Sequence, residues 1–298
     1  MSNMIKAGIG LAAGAMLLIA AGPQPASLAR SSSPAADATP AASGLSFTYR
    51  VTSSSGDKKV REQSNMLATV QVANGNVRID YTEGALPTGD KGGYVIIRGE
   101  PSQFLVVNPK KKQAMAMDPA AIGGGMGAMA NNPMVKMSVS DVSFRYQDMG
   151  AGEDILGYKT RRVRTWSTST TSIKVTMLPE QKTTSSDSSD MWIATGMDVD
   201  LRDVERWGRS FAMSMKTSTP QVDAEMEKFF REYGASGMPL RTVTWSVQTD
   251  KNGKTKATDE TTAEVTDLRF GAVDPSVFEL PGGYEVMDLS KMMEGVKR

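Results

Sequence analysis

Apolar and polar residues alternate with a period of two through most of the chain, a pattern that predicts strands with one face turned inward. Leu45, Phe47, Tyr49 and Val51 open it, and Met66, Ala68, Val70 and Val72 repeat it after a polar loop from Ser53 to Lys59. Asn74-Gly75 marks a two-residue hairpin, because both residues accept a positive φ, and Val77, Ile79 and Tyr81 form the returning strand. Short apolar runs from Tyr94 to Arg98 and from Phe104 to Asn108 flank Gly99-Glu100-Pro101-Ser102, a second hairpin. Strands are expected again at Met137 to Tyr146, Leu156 to Thr168, Ser172 to Leu178 and Met191 to Thr195, with Thr183 to Asp190 read as a polar loop. Leu240 to Thr249 and Thr258 to Phe270 form a long hairpin about Asn252-Gly253. Val273 to Val286 and a short amphipathic tail with Met287, Leu289, Met292 and Met293 close the chain.

Two stretches change period and predict helices. In Asp198 to Lys216, Leu201, Val204, Phe211 and Met215 fall on one face with Trp207 close by, and Asp198 and Asp200 suit its positive dipole end. The next helix is better delimited: Thr219 is the N-cap, Pro220 suits the first turn and Gly234 the stop. Val222, Met226, Phe229, Phe230 and Tyr233 build its apolar face.

The N-terminal residues read differently. Lys6 supplies a short basic segment, Ala7 to Ala21 an apolar stretch shorter than a bilayer-spanning helix needs, and Ser27-Leu28-Ala29 a small-residue cleavage site. Residues 1–29 are therefore expected to be a signal peptide cut near Ala29, with an uncleaved anchor as the alternative. Residues 30–44, rich in Ser, Pro and Ala, read as a disordered linker, 45–290 as one domain and 291–298 as a tail. The expected location is the periplasm or the exterior, with no transmembrane segment in the mature chain.

Composition narrows the chemistry. The 298 residues include no Cys and no His, which removes disulfides, thiol redox chemistry, histidine bases and His or Cys zinc ligands. A formal charge of +1 gives no electrostatic reason to seek nucleic acid. Catalytic candidates are sparse. Ser55-Gly56-Asp57-Lys58 has a Ser-x-x-Lys spacing but lies in a polar loop, so its Lys would be solvated and charged. Asp198 with Asp200, or Glu153 with Asp154, are near neighbours that rarely face one substrate bond. Gly123 to Gly127 lacks the setting of a phosphate loop, and Lys110-Lys111-Lys112 reads as a solvated cluster ending a strand. No catalytic residue, cofactor or enzymatic activity is expected.

The methionine-rich stretch is more suggestive. Met115, Met117, Met126, Met129, Met134 and Met137 alternate with Gly and Ala, giving an adaptable apolar surface: a mobile lid over a greasy ligand, or a loop capping the sheet. Met126, Met129, Met134 and Met137 repeat a Met-x-x-Met spacing, and soft thioethers select Cu(I), a weaker alternative. Trp207, Phe211, Met226, Phe229 and Phe230 either line a lipid cavity with Met126 and Met129 or form ordinary core.

Three segments carry a family resemblance: Gly152 to Thr160 with its Gly157-Tyr158 pair, Gly237-Met238-Pro239-Leu240-Arg241, and Asp274-Pro275-Ser276-Val277-Phe278 through Pro281-Gly282-Gly283-Tyr284. Together with the order of elements, the chain resembles the LolA/LolB-like periplasmic proteins, and looks closest to an uncharacterised secreted family with that fold. The resemblance implies an α+β domain in which a large, open, curved antiparallel sheet, a half-barrel, wraps helices around a hydrophobic groove. It implies a non-enzymatic periplasmic protein binding a lipid or acyl chain there. The alternative is an envelope interaction or sensor module whose core is filled by its own side chains. Partners would be an apolar small molecule or lipid, or another envelope protein. Gly157 and Gly283 are expected to relieve backbone crowding, and Tyr158, Phe278 and Tyr284 to pack in the core.

Overall fold

The structure, a computed structural model, describes residues 43–56, 58–84, 92–99, 103–117, 135–176, 179–197, 220–233 and 237–288. Twelve strands form one sheet. The first six are β1 (Ser43–Ser53), β2 (Met66–Ala73), β3 (Asn76–Glu83), β4 (Tyr94–Arg98), β5 (Gln103–Asn108) and β6 (Gln113–Met117). The rest are β7 (Val135–Ala151), β8 (Thr160–Val175), β9 (Gln181–Ala194), β10 (Pro239–Asp250), β11 (Thr255–Ala272) and β12 (Glu285–Asp288). Their order is β12-β6-β5-β4-β3-β2-β1-β11-β10-β9-β8-β7. Two meanders, β1–β6 and β7–β11, are joined by antiparallel pairing of the first strand with the eleventh. Only β12 breaks the antiparallel rule, lying parallel to β6.

Local chemistry explains the turns. Asn74 and Gly75 take φ of 52° and 74° between β2 and β3, the left-handed pair that a two-residue hairpin requires. Ile155 and Tyr158 bridge across Leu156 and Gly157, whose φ values are 52° and 80°. At Gly157 and Gly283 an added Cβ would meet nothing within 4 Å, so these glycines serve a positive φ rather than relief of crowding.

The polar run Thr183–Asp190, expected as a loop, is strand β9, and its hydroxyl residues pair with β8 on one side and β10 on the other. Its neighbours supply the hydrogen bonds, so the ladder forms without an apolar stripe to announce it. Ser172 and the residues before it likewise belong to one long β8 rather than to two strands.

The expectation of an α+β sheet wrapping helices is overturned. The described helices are α1 (Lys58–Ser64) and α2 (Pro220–Tyr233), and the molecule is chiefly an open antiparallel sheet. The expected helix from Asp198 to Lys216 lies outside the described residues. Helix α2 begins at Pro220, as the sequence predicts, while Thr219 and Gly234 lie outside the described residues; it docks on β7, where Phe229 packs between Phe144 and Tyr146, with ring centroids 5.7 and 5.3 Å away. The core is instead made by strands. β4 and β5 are buried on both faces: Val95, Ile97 and Val106 enter one cluster, and Tyr94, Ile96, Leu105 and Val107 a second beneath the 3-10 turn Pro275–Phe278.

Candidate functional site

Paired residues in a sheet share a face, so the registers trace each face across the strands. On the face against which α2 docks at β7, one row runs Leu268, Phe47, Val70, Ile79, Val95, Val106, Met115 and Met287, from β11 to β12, without a polar residue. The row beside it runs Phe270, Leu45, Val72, Val77, Ile97 and Phe104. Toward β7 the same face turns to hydroxyls: Tyr146, Thr165, Ser189, Thr244, Thr261 and Ser53 form another row.

Three polar groups sit where the aliphatic and hydroxyl regions meet. Tyr49 and Tyr81 flank Ala68 in one row, and Thr242 lies in the next row beside Ala263 and Val51. Tyr49 is 5% exposed and Thr242 3%, yet Tyr49 Oη and Thr242 Oγ1 have no hydrogen-bond partner among the described residues. Burial, and then the nearby Tyr81 phenol, push the Tyr49 phenol far above the usual tyrosine range, and burial raises Tyr81. Both phenols are therefore neutral donors at any ordinary pH. No residue that β1, β2 or β11 contributes to these rows is charged.

The opposite face of β8 to β11 holds a connected set of charges. Asp190, whose side chain is fully buried, accepts from Arg164 at 2.5 and 2.6 Å and from Arg162. Burial alone would raise the Asp190 pKa, but the bonds from Arg164 and Arg162 outweigh it and hold the carboxyl below its ordinary value. Arg162 and Arg241 lie 5.2 and 5.7 Å from the Trp192 ring centroid. Arg241 also pairs with Glu264 at 2.6 Å and with Glu153. Glu153 and Asp154 thus face separate cations, since Asp154 pairs with Lys159 at 2.6 Å, and they do not form a carboxylate pair.

The other sequence-predicted positions are placed as follows. Phe229 is buried against Val163, Met191 and Ile193, and Met226 is half-buried on the same helix. Phe230 lies on α2 and Met137 in β7 opposite Ile173. Met126, Met129, Met134, Trp207, Phe211, Asp198 and Asp200 lie outside the described residues. Lys58 opens α1 instead of standing in a loop, but its side chain is 80% exposed, with the ammonium 3.7 Å from Glu62. Among the described residues no cluster of acidic side chains could hold a metal ion, and no helix is long and apolar enough to cross a membrane. Alternation grouped Tyr49 with Leu45, Phe47 and Val51, and Tyr81 with Val77 and Ile79, without saying which face turns inward, and nothing in the sequence singled out Thr242, Asp190 or Trp192.

No curated protein matches this chain. Among solved structures it aligns with the Mycobacterium tuberculosis lipoprotein LppX at 11% identity, over 74% of this chain and 84% of that one, with a TM-score of 0.27. A family model, described as a domain of unknown function (DUF4412), matches residues 58–284. The chain belongs to that DUF4412 family.

Proposed function

We propose that this protein is a non-enzymatic carrier, working outside the cytoplasm, that holds a hydrophobic ligand of the lipid or acyl-chain class against the α2 face of its sheet. The observation that carries the reading is the pair of enclosed hydroxyls, Tyr49 Oη and Thr242 Oγ1, which have no hydrogen-bond partner among the described residues and sit at the edge of an aliphatic layer. A buried polar group left unsatisfied costs about 1–3 kcal/mol, so a core filled by side chains alone would carry this penalty twice. A ligand whose chain lies along the aliphatic rows and whose carbonyl reaches Tyr49 and Thr242 removes it. The uncharged surroundings favour a neutral ester over a carboxylate or phosphate, which would find no cation in these rows.

Mass spectrometry under non-denaturing conditions, on protein purified gently from its native envelope, tests the proposal. A stoichiometric lipid or acyl species, identified in an organic extract and displacing a bound fluorescent dye saturably, is expected. A clean apo mass, unchanged after incubation with envelope lipids, would sink the carrier reading. It would leave an interaction module with a filled core, its orphan hydroxyls served by buried water.

A further inference from the structure

The face opposite α2 carries a second construction that the lipid reading does not use. Five residues stand directly abreast on five neighbouring strands: Arg145 on β7, Trp166 on β8, Ser188 on β9, Trp245 on β10 and Glu260 on β11. Strands lie about 4.8 Å apart, so the two tryptophans spring from points about 10 Å apart with only a serine between them. The result is an open groove of about 370 Å³, in the size range of small-ligand sites. Its hydroxyl-bearing lining comes from Ser143, Ser167, Thr168, Ser186 and Ser188, and Asp187 adds a carboxylate.

Each tryptophan is held by its outer neighbour. The Arg145 guanidinium lies 4.1 Å from the Trp166 ring centroid, and Trp245 donates its indole N–H to Glu260 at 2.9 Å. Trp245 nevertheless stays 37% exposed, among the most exposed large apolar residues described. A large aromatic restrained by its neighbours but left open to solvent loses little entropy when a ligand stacks on it.

We propose that this groove binds an extended, β-1,4-linked oligosaccharide. A pyranose ring has apolar C–H faces that suit indole walls, and equatorial hydroxyls that exchange hydrogen bonds with a serine and threonine floor. The spacing of the two indoles is on the order of one disaccharide unit. Arg145 and Glu260, at the two ends of the row, are placed to bond sugar hydroxyls there. Nucleic acid fits poorly, because one cation at one end is balanced by a carboxylate at the other. A peptide strand would pair its backbone with the free edge of β7, whereas this groove is lined by side chains across the face of β7 to β10.

The test is titration of the full-length protein with cellotetraose and chitotetraose, read by tryptophan fluorescence and calorimetry. Saturable binding of either sugar is expected. Trp245→Ala and Trp166→Ala should each weaken it at least about tenfold, as loss of a central aromatic contact does. Ser188→Leu, which fills the groove from a solvent-facing position, should abolish binding even if a tryptophan variant fails to fold. Tyr49→Phe, on the other face, should leave it unchanged. Failure of both sugars to bind saturably, or binding undiminished in Ser188→Leu, overturns the proposal whether or not a lipid is carried.

Discussion

If Tyr49 Oη is kept unpartnered for a ligand, then removing it should stabilise the empty protein while weakening the loaded one. Tyr49→Phe keeps the ring, which is packed in the main apolar cluster, and deletes one oxygen. The wild-type hydroxyl gives up its water on folding and gains no partner among the described residues, a cost of about 1–3 kcal/mol. The variant escapes that cost and leaves a void of a single oxygen, so without ligand it should be more stable than wild type by about 1–2 kcal/mol. For a domain of this size that is a rise in Tm of about 2–8 °C. The assay is urea unfolding of protein stripped of lipid by unfolding, organic extraction and refolding, repeated after reloading with a neutral acylglycerol. In the loaded state the order should narrow or reverse, because the wild-type phenol then donates to the ester and the variant loses a bond worth about 1 kcal/mol. A stripped Tyr49→Phe protein that is less stable than wild type would refute the reasoning, since the hydroxyl must then be satisfied already in the empty protein.

Two further predictions concern the frame that holds both faces. Asp190→Asn should cost about 2–3 kcal/mol at pH 7 in urea unfolding, the low end for a broken buried ion pair, because Arg162 and Arg164 keep 36% and 31% side-chain exposure and hydrate when released. The folded-state pKa of Asp190 is depressed, so this stability is fully present above the ordinary Asp value of about 3.9 and is lost as pH falls through the folded value. The gap between wild type and variant should therefore be flat from pH 6 to 8 and close in strong acid; a gap indifferent to acid would count against the pairing. Gly237→Ala should cost more than about 3 kcal/mol, since φ is 144° there and an added Cβ would fall 1.7 Å from the Ala194 carbonyl oxygen. Gly157→Ala, with a positive φ but open space, should cost only about 1 kcal/mol, and equal losses at the two sites would show that close approach is not what Gly237 serves.

What was legible in the sequence was local. Asn74-Gly75 fixed its hairpin because few residues tolerate its two backbone angles, Gly253 takes the one positive φ in the turn between β10 and β11, and Pro220 announced the start of α2. Alternation found β1, β2 and β3 because one face of each is aliphatic. It found the end of β9 at Met191 but missed its first part, because Thr183 to Asp190 presents hydroxyls and carboxylates to both faces, and only the pairing with β8 and β10 makes that part a strand. It missed the balance of helix and sheet for a related reason. Helical periodicity says that a helix has an apolar face, but not how much of the core that face will cover. For α2 the contact falls on β7, far from the aliphatic rows of β1 to β6. The sites are less legible still. Tyr49 and Thr242 lie far apart in the sequence and come to neighbouring rows of one face only because β11 pairs with both of their strands. Trp166 and Trp245 look unrelated until two registers put Ser188 between them.

Alternation along β9 also explains how one sheet can serve two ligands without mixing them. Met191 and Ile193 turn toward α2, while Asp190 and Trp192 turn the other way, into the arginine network. Every charge held near β9 on that second side is one that the aliphatic side need not desolvate. A one-residue slip of β9 would exchange the two sets, carrying Asp190 into the apolar layer and Met191 among the guanidinium groups. The Asp190 pairing with Arg162 and Arg164 therefore acts as a register lock as well as a source of stability. Its loss in Asp190→Asn should loosen the α2 face, where Met191 pairs with Thr242 across the strands, along with its own. Substitutions confined to the tips of side chains, such as Tyr49→Phe or Ser188→Leu, leave the register alone. Each should alter one binding activity and spare the other.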